Sequence, residues 1–176
     1  MTETATLANG CFWCTEATLQ LVKGVHQVTP GYTGGNTTNP SYREVCSGTT
    51  GHAEAVQVTF DENIITYSDL LKVYFLTHDP TTLNRQGGDV GTQYRSSIFT
   101  HSDAQRKIAS DLIEDLGNQA VWANPIVTEV VDFNKFYDAE DYHLDYYKNN
   151  PGASYCTFII EPKLAKMKSL LLDSLK

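Results

Sequence analysis

The chain has 176 residues, with 13 Lys and Arg against 21 Asp and Glu and a formal net charge of −8. That length predicts one domain with its own core, and 41% hydrophobic against 19% charged residues separates it from the polar mixtures that stay unfolded. The acidic balance and the lack of any Lys/Arg run exclude nucleic acid or an anionic membrane surface as main partner, and no stretch approaches the roughly 20 apolar residues of a membrane span.

Residues 1–5 carry Glu3 where a secretory leader carries Lys or Arg, so a cytoplasmic chain is expected. A short strand is predicted over 4–8, ending at Asn9-Gly10, and a helix over 12–23, with Ala17, Leu21 and Val22 at helical spacing and Gly24 beyond its end. A strand returns over 25–32, and 31–40 is too rich in Gly, Asn and Pro to be other than loop. Residues 52–60 alternate, with Val56, Val58 and Phe60 on one face and Gln57 and Thr59 on the other, the pattern of a half-buried strand. Residues 67–76 read as a helix capped by Ser68, and 78–92 as a second long polar loop. A strand over 93–100 leads to a helix over 103–116, opened by a Ser102–Gln105 capping box and closed by Gly117-Asn118. A β-branched strand over 126–132, a short helix over 138–147, a break at 149–152 and an amphipathic helix over 163–175 complete the chain. Strands and helices interleave while some strands are adjacent, which predicts an α+β sheet with helices packed on it.

Four cysteines stand out: Cys11, Cys14, Cys46 and Cys156. Cys11 falls where a strand ends and a helix begins, beside the unsatisfied N–H groups and positive dipole end of that helix, a placement that favours the nucleophilic thiolate. Phe12 and Trp13 follow it, and two such aromatics at an exposed helix start are costly unless they line a pocket. Cys11-Phe12-Trp13-Cys14 also spells C-x-x-C, which leaves open a thioredoxin-like disulfide oxidoreductase or half of a zinc site in a metal-stabilised binding module. The isolation of Cys46 and Cys156 argues against zinc, and the bulky Phe-Trp insert against approach by a foreign disulfide.

Six segments together resemble a known family. Gly10-Cys11-Phe12-Trp13, Gly31-Tyr32-Thr33-Gly34-Gly35, Asn39-Pro40-Ser41-Tyr42, Gly51-His52-Ala53-Glu54, His78-Asp79-Pro80-Thr81 and Gly87 to Ser96 look like the signature segments of A-type peptide methionine-(S)-S-oxide reductases, in order, between about residue 5 and about residue 163. The resemblance implies a two-layer α+β sandwich around a ferredoxin-like βαββαβ core, with additional helices: a single catalytic domain over 1–176 whose tail, 149–176, carries a resolving cysteine. It implies a cytoplasmic monomer, free of metal and bound cofactor, that takes methionine-S-sulfoxide, free or in oxidised proteins, and is recycled by thioredoxin or another dithiol.

Residue by residue, the resemblance makes Cys11 the nucleophile and Glu54 the acid, whose carboxyl an apolar pocket must keep protonated near neutral pH. It makes Tyr42 and Tyr94 donors to the sulfoxide oxygen, Asp89 a carboxylate of the same pocket, and Phe12 and Trp13 the apolar wall that receives the methyl group. His143 and Tyr146 match a family segment near the site, while His52 reads equally well as a structural histidine. Attack leaves Cys11 as a sulfenic acid for a second thiol to condense with, and the Tyr155-Cys156 pair names Cys156 as first choice. Cys14 stands where many members have glycine. At i, i+3 on a helix its Cβ lies about 5–6 Å from that of Cys11, against about 3.5–4.5 Å in a disulfide, which favours Cys156 and leaves Cys14 as a possible relay. Cys46 is expected to be a buried structural thiol.

Overall fold

The computed structural model describes residues 1–176. Chain order runs β1 (Thr2–Asn9), α1 (Phe12–Leu19), β2 (Val25–Thr33), α2 (Tyr42–Cys46), β3 (Ala53–Asp61), α3 (Tyr67–Leu76), a two-stranded hairpin of β4 (Arg85–Gln86) and β5 (Asp89–Val90), β6 (Ser96–Thr100), α4 (Asp103–Asn118), β7 (Glu129–Asp132), β8 (Phe136–Asp138), α5 (Tyr146–Asn149) and α6 (Glu161–Leu170). It is an α+β fold on a mixed six-stranded sheet ordered β7-β6-β1-β3-β2-β8. All pairings are antiparallel except β6 with β7, which lies parallel.

The alternation in β3 sends Val56, Val58 and Phe60 to the helix-covered face, where they join Phe12, Leu19, Leu70, Leu71 and Tyr74 in the main core. The opposite face is also covered: Ala8, Ala53, Ala55 and Phe99 are buried there, with Val131, Phe133 and Phe136 packed on them. Small residues on that face let the polypeptide lie close, so the strand ends nearest Cys11 and Glu54 are dry on both sides. No helix is long and apolar enough to cross a membrane.

Several boundaries differ from the sequence expectations for local reasons. Helix α1 stops at Leu19 because Leu21 to Lys23 pair with the tail instead: Lys23 N–H donates to Ser174 and Lys176 N–H to Leu21. Thr66, not Ser68, caps α3, accepting from Asp69 N–H. Residues 92–94 form a 3₁₀ turn and the following strand begins at Ser96. Ser102 accepts from Gln105 N–H as expected, yet the Gln105 amide turns to His101 and Thr4, so the capping box is half formed. Helix α4 runs through Gly117 and Asn118, and the left-handed residue behind it is Ala120 (φ 51°). The helix expected over 138–147 is broken into the end of β8, a 3₁₀ turn at Asp141–His143 and the short α5, because Asp145 is left-handed (φ 54°). The tail helix begins earlier than expected, with a π-helical turn at Cys156–Ile160. Helix α2 was not foreseen, although Ser41 and Glu44 carry its S-x-x-E signature and form a reciprocal capping box.

Edge strand β8 leads into the 140–146 segment, and it reaches the sheet only because Gly31 has no side chain. A Cβ there would come within 2.3 Å of the Phe136 ring and 2.4 Å of the Tyr137 carbonyl. The Gly31→Ala variant is predicted to lose about 1–3 kcal/mol, the range of overpacked sites, as read by urea denaturation. Its hydrogen exchange should quicken over 136–143. Unchanged stability and protection would contradict this close-approach account.

Candidate active site

Cys11 is the residue before α1, with an extended-type backbone (φ −59°, ψ 126°). Gly10 makes the turn into it at φ 111°, and a Cβ there would strike the Gln86 side chain at 2.8 Å, because the β4–β5 hairpin folds over this corner. That close approach brings Asp89 to the site. The thiol is buried. Burial first, then its hydrogen bond to Cys14 and the nearby Glu54 carboxyl, push Cys11 well above the usual thiol range, outweighing the backbone N–H that favours the anion. The sequence expectation of a helix-stabilised thiolate is therefore corrected: at rest the proton sits on Cys11, because desolvation exceeds the helix-end field.

Glu54 enters from β3 and is 1% exposed. Its Oε1 accepts from the Phe12 N–H at 3.1 Å, while Oε2 is buried without a partner. Burial raises this carboxyl to about 8; the Phe12 N–H opposes the shift, and Asp89 and Cys14 add to it. At neutral pH it is mostly protonated, with a free oxygen and a proton to give.

The phenols of Tyr42 and Tyr94 lie close enough to feel the charge of this carboxyl, and burial raises both above the ordinary range, so both remain donors. Tyr42 opens α2 and is fixed by Glu140, whose Oε2 accepts from Tyr42 N–H at 2.9 Å and whose Oε1 accepts from the Tyr32 hydroxyl at 2.8 Å. Cys46 is half-buried close to the phenols of Tyr42 and Tyr94, so it lines the site where a buried structural thiol was expected.

Phe12 is wholly buried, its ring 5.0 Å from His143 and 6.2 Å from Tyr42, and forms the floor. Trp13 forms the wall: it stacks on Tyr146 at 3.8 Å with ring planes 7° apart, and its Nε1–H donates to His143 Nδ1 at 2.9 Å. His143 is buried, which lowers its affinity for a second proton, and with Nδ1 accepting, its lone proton lies on the unpartnered Nε2. His52 is structural: Gly35 N–H donates to its Nδ1, and its Nε2 donates to Thr37 O.

A cluster of buried Cys11, Cys14 and Cys156 adjoins this pocket. Cys14 is lowered to about 7, mainly by the hydrogen bond from Cys11 and further by Lys163, against its burial. The Tyr155 hydroxyl donates to Asp89 Oδ2 at 2.8 Å and lies 3.5 Å from Cys14 Sγ. Because Cys11 precedes the helix, its backbone does not follow the i, i+3 helical geometry assumed for that pair. The fold thus gathers Cys11, Phe12, Trp13, Cys14, Tyr42, Glu54, Asp89, Tyr94, His143 and Cys156 at one corner. Glu16, the role of Glu140, Tyr155 and the siting of Cys46 escaped sequence reasoning; only the Tyr155-Cys156 adjacency and the family segment that holds Glu140 with His143 offered a signal for any of them. No group of three or more His, Cys, Asp and Glu side chains is arranged to hold a metal ion.

A soft nucleophile, a protonated carboxyl, two phenol donors and an apolar cage suit a small apolar group carrying one basic oxygen. The raised Glu54 carboxyl also fixes a sign for stability. Between about pH 4.5 and 8 the folded chain holds a proton that the unfolded chain has released, so this residue's contribution falls as pH rises through that window. Urea titrations should show wild type losing stability relative to Glu54→Gln from pH 5 to 8; parallel curves would refute the buried-acid assignment.

The chain is similar to known proteins over nearly its whole length. The family model described as peptide methionine sulfoxide reductase matches residues 3–174. The chain is 56% identical to a peptide methionine sulfoxide reductase MsrA of Deinococcus radiodurans over 174 residues, covering 99% of this chain and 84% of that one. Among solved structures, it superposes on reduced Mxr1 of Saccharomyces cerevisiae with TM-score 0.83 and 40% identity, covering 88% of this chain and 89% of the other. It also superposes on Mxr1 in complex with Trx2, with TM-score 0.60 and 30% identity over 81% and 84% of the two chains.

Proposed function

The chain belongs to the peptide methionine sulfoxide reductase family, and from that premise we propose how its own residues reduce methionine-S-sulfoxide, free or in oxidised proteins, to methionine. The observation that carries the reading is the protonated Glu54, tied through Oε1 to the residue after Cys11 and unpartnered at Oε2. The sulfoxide oxygen is held by Tyr42, Tyr94 and Glu54, and its methyl lies against Phe12 and Trp13, with His143 bracing the wall. One epimer then presents its sulfur to Cys11. Cys11 Sγ bonds to that sulfur while Glu54 and the Cys11 thiol each give a proton to the oxygen, which leaves as water; a water then attacks Cys11 Sγ, breaking the new S–S bond and returning a proton to Glu54. The sulfoxide sulfur gains two electrons and leaves as a thioether; Cys11 loses two and becomes a sulfenic acid.

A second thiol condenses with the sulfenic acid, releasing water and forming a disulfide. We assign Cys156 as the resolving thiol, with Cys14, the more acidic neighbour of Cys11, as relay between them, and Asp89 as the anchor of Tyr155 beside Cys14. Thioredoxin or another dithiol reduces the product disulfide, as the yeast Mxr1 complex with Trx2 suggests. We read the chain as one catalytic domain over 1–176 with a tail from 149, and the β1-α1-β2-β3-α3-β6 unit as ferredoxin-like; the sheet order β6-β1-β3-β2 supports that description. A reaction that consumes thiols belongs in a reducing compartment, which fits a cytoplasmic setting. A disulfide oxidoreductase working through Cys11 and Cys14 alone is not favoured, since it leaves Glu54 and both phenols without a task.

Three measurements test this reading. With separated epimers and a chemical dithiol, only the S form should turn over, and Cys11→Ser should abolish it; reduction of neither epimer by folded protein would overturn the reading. In single-turnover assays Glu54→Gln should be slower by about 10²–10⁴-fold at pH 7, the span of general acid catalysis, and the wild-type rate should fall above about pH 8 as the acid ionises. For recycling, Cys156→Ser should retain one equivalent of methionine formation yet lose thioredoxin-driven turnover; undiminished turnover would transfer the resolving role to Cys14.

A further inference from the structure

Helix α1 carries a second buried carboxylate, Glu16, which the chemistry above does not use. It is 2% exposed, and its Oε2 accepts from Asp145 N–H at 3.0 Å. One turn further on, Gln20 Nε2 donates to Asp145 Oδ1 at 2.8 Å. Trp13, Glu16 and Gln20 stand at i, i+3 and i+7, so they share one face of the helix that begins at Cys11. Asp145 holds a left-handed backbone (φ 54°, ψ 35°), a conformation that costs free energy in a residue with a Cβ, less for Asp than for most, and that its partners here hold in place. The next residue is Tyr146, whose ring lies flat on Trp13. Removing a carboxylate from water is costly, and Glu16 recovers that cost only through this turn.

We propose that Glu16 is a positioning residue for the substrate wall: it imposes the left-handed turn at Asp145 and thereby presses Tyr146 onto Trp13. The side chain touches neither thiol nor substrate. It acts through the Asp145 N–H, with Gln20 holding the other side of the same residue and Lys148 pairing with Asp145 at 3.6 Å. Burial raises Glu16 to about 7 and the Asp145 and Tyr146 N–H groups draw it back down, so the same donors that take their direction from it also favour its anion. The wall and the nucleophile are then set by one rigid strut, α1, with the wall's outer layer clamped from the strut's own side chains.

The proposal rests on the reductase reading only for its kinetic readout. Glu16→Ala should raise KM for a methionine-S-sulfoxide peptide by about 3- to 10-fold, the size of a lost aromatic stack, while the single-turnover rate at saturation stays within about twofold. The spectroscopic readout is independent of activity: with only Trp13 and Trp122 in the chain, Trp122→Phe isolates Trp13, whose emission should shift in Glu16→Ala as the Tyr146 stack is lost. Tyr146→Ala should reproduce both changes, and the double variant should be no worse than Tyr146→Ala alone. If Glu16→Ala folds poorly, Glu16→Asp withdraws the oxygen from the Asp145 N–H while keeping the charge, and should move emission the same way. Unchanged KM and emission in a folded Glu16 variant, or effects that multiply in the double variant, would overturn the proposal. A wild-type protein that reduces no sulfoxide would sink the reductase reading and leave the emission test of the clamp standing.

Discussion

The site depends on one hydrogen bond, from the Phe12 N–H to Glu54 Oε1. It ties the first turn of α1 to the buried end of β3, and so fixes how far the Cys11 corner stands from the acid. It spends one carboxyl oxygen on the backbone and leaves the other bare, which decides where the proton is carried. The same bond favours the ionised form, and only nearly complete burial overrides it. Two opposed effects of comparable kind therefore set the acidity, and desolvation prevails because the sheet is covered on both faces at that point.

Around that bond each element contributes one constraint. The β4–β5 hairpin closes over Gly10 and delivers Asp89; Glu140 holds Tyr42 and Tyr32 together; α1 carries Trp13 and the clamp on Tyr146. The tail returns Cys156 to the thiols through a π-helical turn, an irregular element often found at functional sites. Cys156 is wholly buried there and Cys14 nearly so, so engaging a reductant at either thiol requires this corner to open.

Much of this was legible from residues alone. Alternation in 52–60, the apolar face of 67–76 and the Ser102 start of α4 are local signals, and the structure follows them within a residue or two. The corner at Cys11 was legible because Asn9-Gly10 stops a strand and two aromatics follow. The acidity of Cys11 was not, since a helix-end field is a sequence-local feature whereas desolvation is set by β3 and the hairpin, far away in the chain. Likewise, 138–147 reads as a helix by composition, and it breaks because Asp145 is forced left-handed by a carboxylate 129 residues earlier. Cys46 looked inert in part for the same reason: Tyr42 stands one turn earlier on its own helix, but Tyr94 comes from the turn after the second polar loop.

The most direct test of the account is a carbon NMR titration of the Glu54 side-chain carboxyl in the reduced protein, assigned by its loss in Glu54→Gln. The expected midpoint lies near 8, with the carboxyl mostly protonated at pH 7. A midpoint near the ordinary 4.5 would leave Glu54 ionised beside Cys11 at neutral pH, and the acid at the centre of this mechanism would have to be sought elsewhere.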